Sequence, residues 1–157
     1  MNSYLLLKWL HVLSSVLLVG TGFGSAFYFF FAQRSGSLAV QAAVNRLVVR
    51  ADWWFTTPTV LLQPATGLLM AQQAGWDWWQ TPWLRWSLAL YLLAGACWLP
   101  VVWLQIQMAR LASEALARDQ PLPPRYGVYL RCWTLLGFPA FAAMLVIYYL
   151  MLAKPAL

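Results

Sequence analysis

Long apolar stretches with short polar connections between them leave this chain one environment that can accept it. A membrane-crossing helix takes about 20 apolar residues. Residues 4–32, 53–71, 83–104 and 126–152 each supply roughly that length. The chain is 62% hydrophobic and 9% charged, against about 25% charged in an ordinary soluble domain. So much apolar surface does not fit inside one water-surrounded core of 157 residues. In lipid the backbone must satisfy its own hydrogen bonds, so the stretches are expected to be helices. The expected fold is an all-α integral membrane protein, a single domain over 1–157 built as a four-transmembrane-helix bundle.

The formal net charge is +6, and its distribution speaks for topology rather than nucleic-acid binding. Arg34, Arg46 and Arg50 fall in the first connection, and Arg110, Arg118 and Arg125 in the third. Residues 72–82 carry no Lys or Arg. The positive-inside rule then places the first and third connections in the cytoplasm and both termini outside. Residues 37–54 and 105–118 keep helical spacing beyond the apolar runs, so helices 2 and 3 are expected to extend into the cytoplasm. Pro121, Pro123 and Pro124 stop helix 3 and turn the chain back, so that helices 3 and 4 pack antiparallel. The first apolar run is about twice the length of a signal-peptide core and continues through Phe27–Phe31, so it reads as a retained span. Trp76, Trp78, Trp79, Trp83 and Trp86 gather around the second connection as an interfacial belt. Cys97 and Cys132 have no CxxC spacing and read as small apolar residues.

The residue that most invites a functional reading is His11, the chain's one histidine, about 10 Å along the helix from Tyr4. Lys8, His11, Ser15, Leu18, Gly22 and Ser25 recur at steps of three and four on one helix face. Gly20 and Gly24 form a small-xxx-small pair beside it, where another helix is expected to approach. Thr59, Gln63, Thr66 and Met70 form an answering face on the second helix. Pro58 and Pro64 interrupt that helix and free carbonyls for threonines or water. Polar groups in a span must find partners, so His11 is expected to face inward, bonded to Gln63, Thr66 or the fourth helix.

Two readings of His11 stand side by side. In one, its imidazole is the metal ligand of a haem. Met70, Met144 or an external group then supplies the second axial position, and Lys8 or Arg85 pairs with a propionate. The chain would be a redox or electron-transfer protein with a redox partner or a second copy of itself. In the other, the same side chains only staple helices in a non-catalytic scaffold or accessory subunit. No Ser/His/Asp set supports hydrolysis. Asp52 and Asp77 read as interfacial and Glu114 and Asp119 as cytoplasmic, so no buried carboxylate relay is expected.

Tyr4 to His11 with Gly20-Thr-Gly22, Thr57-Pro58 through Gln63-Pro64-Ala-Thr-Gly67, Trp98 through Gln105, Leu122-Pro123 and Lys154-Pro155 resemble an uncharacterised bacterial integral-membrane family, domain-of-unknown-function family 2269. The resemblance covers nearly the whole chain and implies a multi-pass protein of the bacterial inner membrane, with no activity to carry over. Lys8-x-x-His11 and the Pro-x5-Pro-x-x-Gly second span ending in Met70 are more distantly similar to the HemJ-type protoporphyrinogen oxidases and the CopD-like copper-resistance membrane domains. The HemJ likeness implies haem b. Lys8 and His11 are the positions it carries over, and the chain has no second histidine.

Overall fold

The computed structural model describes residues 3–155, and every regular element among them is helical. Helix α1 is Ser3–Arg34, 32 residues long. Gly36 turns the chain at φ +70, a left-handed conformation that glycine adopts without steric cost. Ser37 then caps α2, Leu38–Ala51, accepting from the Val40 N–H. Helix α2 runs without a break through a π-helical turn, Asp52–Thr56, into α3, Thr57–Gln73. In that wide turn the Thr57 N–H bonds back to the Asp52 carbonyl, five residues away.

Helix α4 is Pro82–Ala117 and α5 is Pro124–Ala153. Each begins on a proline, whose missing N–H would have had no intrahelical partner there. Residues 118–123 join them, and α4 packs most extensively against α5. The antiparallel pair expected after the prolines is therefore present. The continuous helical course expected through residues 37–54 and 105–117 is present as well.

The four-span expectation is met in part. Three helices, α1, α4 and α5, are long and apolar enough to cross a membrane, not four. Helix α3 has 17 residues, and Thr59, Gln63, Thr66, Gln72 and Gln73 dilute its apolar character. It lies along α1 with Thr59 and Thr66 buried, so its polar side is spent on protein contacts.

The described helices form two pairs. Helix α1 packs on α3, and α4 packs on α5. At the end carrying most of the arginines, α2 wedges against α1 and α4 and joins the pairs. Phe29, Ala42, Met108, Leu111, Ala112 and Tyr126 interlock there in one core. The Tyr126 hydroxyl accepts from Asn45 Nδ2 at 2.8 Å and donates to Gln33 Oε1 at 2.7 Å, tying α5 to α2 and α1. At the opposite end the pairs part. A small cluster of Ala71, Trp83, Leu84 and Leu150 bridges them there.

Candidate functional site, a cavity around His11

The interior of the parted end is a cavity of about 600 Å³. That lies within the range of small-molecule sites. His11, Gln63, Gly67, Tyr91 and Met144 line it, as do Met70, Met151, Lys8 and Lys154. The wall is mostly apolar, with a few polar groups at chosen points.

His11 is half-buried against α3. Its Nδ1 lies 2.9 Å from Thr66 Oγ1. The Thr66 hydroxyl has one proton, and its 2.6 Å contact with the Leu62 carbonyl uses it. Towards His11 the hydroxyl must therefore accept, which assigns the imidazole proton to Nδ1. Nε2 is left with the lone pair, the form of imidazole that ligates metals.

Gly67 makes this arrangement fit. A Cβ at that position would lie 3.1 Å from His11 Cε1, tighter than ordinary contact. The ring lies against bare backbone, so the close approach of helices falls at Gly67. A Cβ placed on Gly20, Gly22 or Gly24 would meet nothing within 4 Å, so the small-xxx-small expectation at Gly20 and Gly24 is not met. Phe23, between them, stacks on Phe141 of α5 with ring centres 5.7 Å apart, so aromatic side chains and not the bare glycines make the helix contact there.

The other predicted residues divide clearly. The Gln63 side chain accepts from Ser14 Oγ at 2.8 Å, while the Gln63 backbone is hydrogen-bonded to the imidazole of His11. Lys8 is exposed and lines the cavity one turn before His11. Met70 and Met144 both line the cavity. Arg85 does not. Its Nη1 donates to the Trp79 carbonyl at 3.3 Å, and its guanidinium sits 6.0 Å from the Trp79 ring centre. That indole and a free carbonyl offer the cation a site at the surface, away from the cavity wall.

Four further residues contribute, of which Tyr148 and Met151 follow Met144 at helical spacing on α5, as the sequence places them. Lys154 folds back over the tryptophan belt, with Nζ 4.5 Å from the Trp76 ring centre and 5.7 Å from that of Trp83. With Lys8 it gives the cavity two cations at the end carrying the termini. Lys154-Pro155 was the available signal, a cation just beyond the last apolar run. Tyr91 donates to the Val60 carbonyl at 2.7 Å. Pro64, four residues on, lacks the N–H that would have occupied that carbonyl, so a tyrosine fills the role expected of a threonine or water. Tyr148 donates to the Ser15 carbonyl at 3.2 Å. These two tyrosines are struts between the helix pairs; Tyr148 shares the Met144 face of α5, whereas no spacing marks Tyr91. Met151 adds a third sulfur to the wall.

The two cysteines are free, Cys97 buried and Cys132 exposed. Among the described residues no cluster of three His, Cys, Asp or Glu could hold a bare metal ion. No curated protein and no solved structure matches the chain. The long apolar helices, the His11 face and the proline-broken α3 run through the part of the chain, residues 5–155, that a single family profile covers, and the chain belongs to that predicted integral membrane protein family, DUF2269.

Proposed function

We propose that the chain is a membrane redox protein that would hold haem b in the cavity through the imidazole of His11. The observation that carries this reading is the cavity itself, about 600 Å³ of mostly apolar space beside an imidazole whose Nδ1 is already engaged. The residues fit such a group in three respects. His11 Nε2 carries the lone pair, the wall is mostly apolar, and Lys8 and Lys154 both line the cavity, where they would meet acidic end groups. Met70, Met144 or Met151, which also line the cavity, would offer a thioether to the same group. Bound haem would supply one-electron chemistry at the iron. The chain's own part is to hold the ring nitrogen in one tautomer through Thr66, keep water from the apolar wall, and offset acidic substituents with two ammonium groups.

The orientation that goes with this reading follows the arginines. Arg34, Arg46, Arg50, Arg110, Arg118 and Arg125 would face the cytoplasm of a bacterial inner membrane, α2 and the far end of α4 would reach into it, and the cavity would open towards the periplasmic side. The helix carrying Gln63 and Thr66 would then be a fourth membrane segment, shielded from lipid on one side by α1.

The visible spectrum of protein purified from haem-supplied cells tests this. A Soret band is expected, lost or displaced in His11→Ala. It should also be lost in Gly67→Val, whose side chain takes the space of the imidazole. No Soret band in the parent protein overturns the proposal. The His11–Thr66 and Ser14–Gln63 pairs favour a second reading, in which they only staple α1 to α3. In that case His11→Leu removes the donor to Thr66 Oγ1, whose own proton stays on the Leu62 carbonyl, and costs about 1 kcal/mol of stability with no spectral consequence.

A further inference from the structure

We propose that Asp52 and Gln105 form a proton-binding site between the π-helical turn and α4, occupied at neutral pH. It goes beyond the cavity around His11 and does not depend on it. The sequence places Asp52 at an interface, but it is buried, with 5% of its surface exposed. Its Oδ1 accepts from Thr56 Oγ1 at 2.9 Å. Its Oδ2 is buried without a donor. Gln105, also 5% exposed, lies within hydrogen-bonding reach of the carboxyl, and its Oε1 too is buried without a donor.

A cleft lined by both side chains and by Val49, Trp53, Val102 and Ile106 leaves no room for a water molecule. Water therefore cannot satisfy the two oxygens. No Lys or Arg among the described residues pairs with Asp52. The groups that face it are Thr56 from its own segment and Gln105 from α4, and no charged side chain of α1, α2, α3 or α4 acts on its ionisation.

A proton resolves this. Taken up on Oδ2, it turns one stranded acceptor into a donor, and Gln105, within hydrogen-bonding reach, can turn its Oε1 to receive it. If the proton leaves, the Gln105 amide can turn its NH2 towards the carboxylate, so the same pair serves both states. The wide turn also fits. It sets Asp52 against α4 by interrupting the α-helical ladder, and such interruptions gather at functional positions. Burial pushes the Asp52 carboxyl up from its ordinary value. A raised value in the folded state means stability that is complete below the unfolded value of 3.8 and lost as pH rises through the folded value.

Infrared spectroscopy of the full chain in detergent reads the site directly. The chain has only four acidic side chains. Asp77 and Asp119 are exposed, and Glu114 pairs with Arg110 at the surface. At pH 7 one protonated-carboxyl band is expected, absent in Asp52→Asn and shifted in Gln105→Leu, which removes the acceptor. Absence of the band in the parent protein at pH 7 overturns the proposal, and this reading needs no variant to fold. A band that persists unchanged in folded Asp52→Asn overturns it as well. The melting temperature of the parent should fall relative to Asp52→Asn as pH rises, and parallel pH curves would count against the site.

Discussion

The two ends of this bundle are made by the same helices and are packed in opposite ways. At the arginine-bearing end, Phe29, Met108 and Ala112 are fully enclosed, and α2 fills the space between α1 and α4. At the other end, where α2 has no counterpart, the helix pairs part around about 600 Å³ and are held by Tyr91 and Tyr148. The contrast lies in which side chains are present, not in how hydrophobic the helices are. Lipid drives helices together weakly, so close packing comes from complementary shape and interhelical hydrogen bonds. The full end has both. The hollow end has struts and a rim, which is how a bundle keeps a binding space open.

The comparison can be broken first at Phe29. Its ring is fully buried, 4.8 Å from Trp133, so Phe29→Ala should cost about 3 kcal/mol or more. Denaturant unfolding in mixed micelles would read it. A loss below about 1 kcal/mol would mean the enclosed end is not what holds the fold. Tyr126→Phe comes next. It takes the donor from Gln33 Oε1 and leaves Asn45 Nδ2 with the Gln41 carbonyl alone, and about 1–3 kcal/mol is expected. The same measurement checks it, and no change would show that the triad is not a helix staple. The smallest effect is expected at the hollow end. Met144 already borders empty space, so Met144→Ala enlarges a cavity without creating one and should cost less than about 1 kcal/mol. A loss as large as that of Phe29→Ala would place the stabilising core at the wrong end.

Much of the fold was legible because lipid simplifies the code. Runs of apolar residues have to be helices, prolines mark their starts, and arginine distribution separates the two ends. The facing of His11 and Thr66 was legible for a similar reason, since two polar groups inside apolar helices have few partners to choose from. The rest depended on neighbours. Periodicity put Gly20 and Gly24 on a helix contact, yet the contact fell at Gly67, because the imidazole needed bare backbone there. Ser14 lies one position before the predicted Ser15 and takes the Gln63 side chain for itself. Asp52 looked interfacial because it stands beside two tryptophans in the sequence. The wide turn that buries it has no signature in residue spacing. The second helix seemed a full span by its length with Trp53 to Phe55 included, but those side chains are exposed within the turn and α3 proper is shorter.

That turn also sets the phase of everything after it. An α-helix advances about 100° per residue, and a π turn takes up a residue without a matching advance. Asn45 can therefore meet Tyr126 while Thr66 and Gly67, further along the same unbroken rod, meet His11. Were the same residues wound as regular α-helix with none lost, the Thr66 face would swing by about 100° relative to the Asn45 face. The helix would be better hydrogen-bonded along its backbone, and its two halves would no longer address their partners together. One irregular turn thus acts as the dial that keeps the packed end and the hollow end in register.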